Sequence, residues 1–402
     1  MPANKPTLPK LTMSNAKKVG DIVVGEYKIL REIDRAGFGI IYLAQYLGTR
    51  SDIDKEVAVK IVKRTEDHKD SDWSKLLAEQ ITSIRVTGFP NIVKTFDFIT
   101  LKKGEIVPTD HNPDEYIIVM EYIDGKTLDH YLKDNITVNL DDAVGIFKKI
   151  IIGVQSLHTL GERIIHRDLK PENIMISDDL IDVKIIDFGV SSVFDVATGQ
   201  YKTNEETHFG TAYYLPPEIY SSKMYDGIKW KPIPEQIDFY AAGVMLYEML
   251  MGQKPWFFDR KKYKADEEKR YVKDYALAPA KFDMLNISKI DSTIPVAIEN
   301  IIFRCLASKQ EDIKYRYNSA SEILEDLKSY ENKKNNNLLG SDFLIKPAHK
   351  RFYQNSMFPN IYGDKVRRRL FEQKWFYIMV TIIILTVIIV IIIYHVLRPN
   401  DL

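Results

Sequence analysis

One cysteine, Cys305, stands in a chain of 402 residues. So low a count excludes an internal disulfide framework and any metal site built from clustered thiolates, and it fits a reducing compartment. Cys305 lies in the apolar run from Ile301 to Leu306, so it reads as a small core residue rather than a reactive thiol. An excess of charge of either sign is also missing. The 56 Lys and Arg residues balance 56 Asp and Glu residues, so no overall field draws the chain toward nucleic acid, and no nucleic-acid partner is expected. There is no internal repeat. Residues 1–20 have no apolar stretch long enough for a signal peptide and read as a flexible leader.

Charge is absent again, this time locally, between Trp375 and Leu397, where Ile and Val dominate and no Asp, Glu, Lys or Arg occurs. As a helix this stretch would reach about 34 Å, enough to cross a hydrocarbon core of about 30 Å. Trp375, Phe376, Tyr377 and Tyr394 sit near its ends, where amphipathic rings favour the headgroup layer. Lys365, Arg367, Arg368, Arg369 and Lys374 precede it and only Arg398 follows, so the distribution of positive charge predicts that everything upstream is cytoplasmic. The reading is a tail anchor in a lipid bilayer, with a short tail, 398–402, on the opposite side. The segment 332–374 is polar, Asn-rich and increasingly basic, and reads as a linker.

Short β-patterned runs, Tyr27 to Ile33, Ile40 to Ala44 and Val57 to Val62, predict a small antiparallel sheet. Leu76, Leu77, Ile81 and Ile84 recur at helical spacing and predict one helix over 73–86. Strands are expected again at 92–98 and 116–120, separated by a polar loop over 100–115. Beyond Gly125 the pattern is helical, with helices expected over 140–157, 238–251, 295–306 and 319–330. The fold class is therefore α+β, with a β-rich lobe preceding an α-rich lobe. Asp259 to Lys273 is charged, without apolar rhythm, and reads as a solvated insertion or helix. The triplets beginning at Asn135 and Asn286 match a glycosylation pattern by chance only, given the cytoplasmic topology.

The strongest chemical signal is His166-Arg167-Asp168-Leu169-Lys170-Pro171-Glu172-Asn173, followed by Asp187-Phe188-Gly189, with β-like runs at 174–177 and 183–186 between them. This pattern resembles the eukaryotic-type protein serine/threonine kinase family. The resemblance covers 21–331 and implies a bilobal domain, with an N-lobe over about 21–122, a C-lobe over about 123–331, and ATP between them. It implies Asp168 as the base that accepts the attacking hydroxyl's proton, Lys170 beside the transferring phosphate, and Asn173 and Asp187 as hard oxygen ligands for Mg2+, with Mn2+ as the expected substitute. Lys170 and Thr211 match the branch that phosphorylates Ser and Thr of protein substrates. Val57-Ala58-Val59-Lys60 supplies the family's strand lysine, and Glu79, nineteen positions on, its carboxylate partner.

The phosphate-covering loop departs from the family pattern. Across Asp34-Arg35-Ala36-Gly37-Phe38-Gly39-Ile40-Ile41, Asp34 and Ala36 take the first two glycine positions and only Gly39 falls on the third. A Cβ and a negative charge near the phosphates would weaken ATP binding. The resemblance places Ile41 over one face of the adenine with Ala58 opposite, and makes Met120, Glu121 and Ile123 the hinge, whose main chain holds the adenine edge. Glu218 is expected to pair with Arg316, and Asp238 to cap the catalytic-loop backbone. Arg167 before Asp168 implies a grip on a phosphorylated residue of the activation segment, Thr203 or Thr207, by autophosphorylation that a homodimer would serve. Two alternatives stay open, a pseudokinase with weak ATP binding and a membrane-anchored scaffold.

Overall fold

The computed structural model describes residues 17–36, 39–64, 73, 87–108, 112–135, 137–159, 164–187, 213–221, 226, 232–256, 268–281, 287–310 and 312–336. Among these residues no helix is long and apolar enough to cross a membrane. The apolar segment 375–397, most of the expected helix over 73–86, and Glu79, Thr203, Thr207 and Thr211 lie outside them.

The described residues of the N-terminal lobe form a seven-stranded antiparallel sheet. Its strands are β1 (Ile22–Val23), β2 (Tyr27–Ala36), β3 (Gly39–Tyr46), β4 (Glu56–Lys63), β5 (Thr95–Lys102), β6 (Glu105–Ile106) and β7 (Glu115–Glu121), in the order β1-β2-β3-β4-β7-β5-β6. The β-branched run of β4 is buried on both faces, because β3 and β7 flank it and apolar side chains cover it. Tyr27, Tyr42, Val57, Val59, Ile117 and Val119 form the core on one side, and Val62, Trp73, Tyr116 and Ile118 a smaller cluster on the other. Trp73 is fixed there by its Nε1–H, which donates to the Pro113 carbonyl at 2.8 Å.

Two expectations change here. The strand expected over 92–98 begins at Thr95 and runs on to Lys102, and a tight hairpin replaces the first part of the expected loop over 100–115. Lys103 at φ 51° and Gly104 at φ 85° form its turn, with Lys102 paired to Glu105. Positive φ at both central residues matches the right-handed twist of the flanking strands. Residues 17–20, expected to belong to a flexible leader, are bonded to the sheet: the Lys17 N–H donates to the Tyr42 hydroxyl and the Gly20 N–H to the Ile29 carbonyl.

The second lobe holds strands β8 (Gly125–Thr127), β9 (Ile174–Ser177) and β10 (Val183–Ile185) in a small antiparallel sheet. Its helices are α1 (Leu128–Asp134), α2 (Leu140–His158), α3 (Pro217–Tyr220), α4 (Gln236–Met251), α5 (Glu268–Lys281), α6 (Ile287–Ile290), α7 (Val296–Leu306) and α8 (Ala320–Asn335). Asn139 caps α2 by accepting the Asp142 N–H, and Ser319 caps α8 by accepting the Glu322 N–H. Helix α4 is mostly apolar with no polar stripe, and every residue in it but Glu248 is buried, so it forms the centre of the lobe. It begins at Gln236, which puts Asp238 in its first turn rather than at its start. Gly243 lets α7 approach closely, since a Cβ there would lie 2.5 Å from the Cys305 Cβ. Helix α8 runs to Asn335, five residues past its expected end, held to α2 by ion pairs of Lys148 with Glu331 and Lys334 with Asp141.

Candidate active site

The segment 166–173 alternates inward anchors with outward functional groups. Leu169 and Ile174 are buried, whereas Asp168 and Lys170 remain partly open. Pro171-Glu172-Asn173 forms a 3-10 turn, closed by the Asn173 N–H donating to the Lys170 carbonyl at 2.9 Å. These bonds gather the chemistry within a few ångströms. Lys170 Nζ lies 2.8 Å from Asp168 Oδ2, and Asn173 Nδ2 donates to the same oxygen at 3.1 Å and to the Asp168 carbonyl at 2.8 Å.

Arg167 holds this loop at φ 62°, a left-handed backbone that costs a non-glycine residue about 1–2 kcal/mol. Asp238 offsets it. Its two carboxylate oxygens accept the backbone N–H groups of His166 and Arg167, each at 2.9 Å, and His158 Nε2–H donates to it at 2.8 Å. Burial pushes the Asp238 carboxyl up, but the hydrogen bond and charge of His158, together with His166, outweigh that and leave it below the ordinary carboxylate value. Glu218 pairs with Arg316, both buried, across 98 positions of sequence. The Arg316 Nε–H also donates to the Ala307 carbonyl at 2.8 Å.

Across the cleft, Lys60 on β4 points Nζ to within 3.7 Å of Asp187 Oδ2. Asp187 follows β10, whose end is tied to the 171–173 turn by the Ile186 N–H donating to the Asn173 carbonyl at 3.0 Å. The base candidate, two cations and two hard oxygen ligands thus converge from β4, the 166–173 loop and the end of β10.

Residues 27–326 match the protein kinase domain. A Mycoplasma pneumoniae protein named as a serine/threonine-protein kinase is 33% identical over 360 residues, covering 85% of this chain and 87% of its own length. A Mycoplasma genitalium protein named in the same way is 33% identical over 355 residues, with the same coverage. The serine/threonine-protein kinase PrkC of Bacillus subtilis is 29% identical over 311 residues, 77% of this chain and 41% of its own. The chain belongs to the protein kinase family. It is a serine/threonine kinase, and the family uses ATP and a divalent cation.

The donor set of this kinase fits such a cation. Asn173 spends its amide nitrogen on Asp168, which leaves the side-chain oxygen for a metal, and Asp187 adds a half-exposed carboxylate. Among the described residues no group of three or more His, Cys, Asp or Glu is placed to hold a metal. One carboxylate and one amide are too few for a closed protein cage, and they suit a cation completed by phosphate oxygens and water.

Strand pairing places the other expected residues. Ile41 pairs with Lys60, Ala58 with both Leu43 and Met120, and Lys60 with Ile118. Directly paired residues share a face of a sheet, so Ile41, Ala58, Lys60 and Met120 all lie on one face. The expectation that Ala58 stands opposite Ile41 is therefore corrected. Across the cleft the row is Thr127, Met175 and Lys184, paired across β8, β9 and β10, on the face away from the buried Ile174, Ile176, Val183 and Ile185.

At the phosphate loop, Gly37 and Phe38 lie outside the described residues, while Ala36 pairs with Gly39. Asp34 accepts the Arg35 N–H at 2.7 Å, and Arg35 makes a two-bond pair with Glu32. Gly39 has a packing reason of its own, because a Cβ there would meet Val62 Cγ2 at 2.7 Å and the Ile61 carbonyl oxygen at 2.9 Å. In the hinge, the Glu121 N–H donates to the Lys94 carbonyl, and Ile123 is half-buried.

Several neighbours of the site escaped sequence reasoning. The Tyr122 hydroxyl accepts from Arg31 of β2 at 3.0 Å, bridging the hinge and the strand that leads into the phosphate loop. Ile33, beside Asp34, is an exposed aliphatic. The Tyr214 hydroxyl and Lys254 Nζ bind separate oxygens of Glu248 at 2.6 and 2.7 Å. Tyr214 opens a motif-like run that ends at Glu218, but its bond to Glu248 and the other contacts had no local signal. The alternation of β10 was a usable signal for Lys184, whose neighbours Val183 and Ile185 are apolar.

Proposed function

We propose that this kinase transfers the γ-phosphoryl group of ATP to Ser or Thr hydroxyls of proteins, with Asp168 as base and Mg2+, or Mn2+ in its place, on Asp187 and Asn173. The observation that carries the reading is the convergence of Asp168, Lys170 and Asn173 on one loop, with Lys60 and Asp187 facing each other across the cleft. The cation, when bound, would neutralise and orient phosphate oxygens. Asp168 accepts the proton of the attacking hydroxyl, while Lys170, 2.8 Å away, orients the carboxylate and lies beside the phosphate. Lys60 leaves Asp187 for the phosphates. Ile41 and Ala58 cover the adenine from above, Met175 supports it from below, and the main chain of Glu121 and Ile123 holds its edge.

We further infer that residues 375–397 tether the domain to a bilayer, with 332–374 as linker and the domain on the cytoplasmic side. Arg167 would order the activation segment once Thr203 or Thr207 is phosphorylated, and a homodimer would do this in trans. Asp34 and Ala36 favour a second reading, a pseudokinase with weak nucleotide binding. The phosphoryl transfer and the anchor are tested separately. The purified full chain, given labelled ATP, Mg2+ and a generic basic protein, is expected to incorporate phosphate well above an Asp168→Asn control. Equal incorporation would leave the pseudokinase reading. The chain cut after Leu370 is expected to leave the membrane pellet, and persistent pelleting would sink the anchor.

A further inference from the structure

Glu121 ends β7, and its side chain points away from the role its backbone is given at the adenine edge. Oε1 receives Lys184 Nζ at 2.9 Å and the Lys94 N–H at 2.7 Å, while the Glu121 N–H donates to the Lys94 carbonyl at 2.9 Å. Lys184 sits at the centre of β10, three residues before Asp187. Both partners are largely buried at their side chains, 24% exposed for Lys184 and 19% for Glu121.

The same short strand is bound to the N-terminal lobe a second time. The Val93 N–H donates to the Ile185 carbonyl, the Ile185 N–H to the Asn91 carbonyl, and Asn91 Nδ2 to the Val183 carbonyl, each at 2.9 Å. Gly153 of α2 admits this contact, since a Cβ there would lie 2.9 Å from Ile185 Cδ1 and 3.0 Å from the Asn91 carbonyl oxygen. So 183–187 is connected to the hinge at Lys184 and to β4 at Asp187.

These two cross-cleft ion pairs differ in what the reaction does to them. Nucleotide phosphates compete for Lys60 and a cation competes for Asp187, so the Lys60–Asp187 pair is exchanged as the site loads. Neither Lys184 nor the Glu121 carboxylate has a role in that chemistry. We propose that Lys184 is a positioning residue, and that its pair with Glu121 is the persistent strut holding the hinge main chain in register with the metal-binding carboxylate. The inference rests on the kinase reading for the placement of ATP. Lys184 also shares its sheet face with Met175, so the strut stands beside the adenine floor.

An exposed ion pair adds little to stability, and a pair that served only the fold would leave nucleotide affinity unchanged. A strut must change nucleotide affinity more than folding. The test is ATP binding to the full chain in detergent, measured by calorimetry in an Asp168→Asn background, so that the result does not depend on phosphoryl transfer. Lys184→Met is expected to weaken ATP binding 3- to 10-fold with a melting temperature within about 2 °C of its parent, and Lys184→Arg to restore at least half of the loss. In the active chain the same variant is expected to raise KM for ATP and leave kcat within twofold. An ATP affinity in Lys184→Met within 1.5-fold of the parent, or a loss that Lys184→Arg does not recover, would overturn the proposal. Failure of the kinase reading shows separately, as labelled phosphate at the level of Asp168→Asn in the otherwise unaltered chain.

Discussion

Cys305 illustrates how burial settles the chemistry of a side chain. It is fully enclosed between α4 and α7, and burial pushes its thiol up to about 12. The thiolate is the reactive species, so at neutral pH very little of it exists. A thiol reagent applied to the native chain is expected to leave Cys305 unmodified, with one equivalent reacting after denaturation; fast labelling of native protein would contradict the packing described for α7. Arg167 shows the opposite case, an unfavourable backbone conformation retained because Asp238 accepts two consecutive amide protons beside it. The family resemblance named Asp238 as the cap of this loop, but the left-handed backbone at Arg167 that it supports had no signal in the sequence.

Helices and strands were legible wherever one period dominated. The apolar run of β4 and the mostly apolar α4, whose few polar residues are Gln236, Asp238 and Glu248 besides its tyrosines, belong in the middle of a lobe. Boundaries followed other contacts: ion pairs to α2 carry α8 on to Asn335, and positive φ at Lys103 and Gly104 turns β5 back on itself. The α4–α7 crossing depends on Gly243. Alanine there would drive its Cβ to 2.5 Å from the Cys305 Cβ and 3.3 Å from Leu306 Cδ2. Since both neighbours belong to a packed core, Gly243→Ala is expected to cost about 1–3 kcal/mol of stability. Chemical denaturation would measure it, and pairing the change with Cys305→Ala would leave the clash in place, because the contact is with a Cβ that alanine retains.

The two lobes and the catalytic loop are held by long-range polar contacts, and Asp238 is the most consequential of them. With its carboxyl below the ordinary carboxylate value in the folded chain, its contribution is complete above that value, near 3.8, and is lost as pH falls through the lower folded value. Asp238→Asn keeps the shape but removes the charge opposite His158 and one of the acceptors for the loop amides. Breaking a buried pair in this way costs about 3–5 kcal/mol. The variant is expected to unfold earlier at neutral pH and to show a shallower fall in stability below pH 4; an unchanged acid limb would mean that other carboxylates govern it.

The short-range content of this kinase could be read directly. The eight residues from His166, the strand lysine at 60 and the helical period of the second lobe are local patterns, and local backbone physics acts on them wherever they occur. The partners could not be read. Lys60 faces Asp187 and Glu121 holds Lys184, in each case across more than sixty positions of sequence, whereas the pairing of Glu218 with Arg316 followed from the family resemblance. Gly39, which falls on the third glycine position of the phosphate-loop pattern, is needed for β3 to lie against β4. Such pairings depend on how sheet and helices pack once their apolar faces are buried, and no stretch of chain contains that arrangement before it folds.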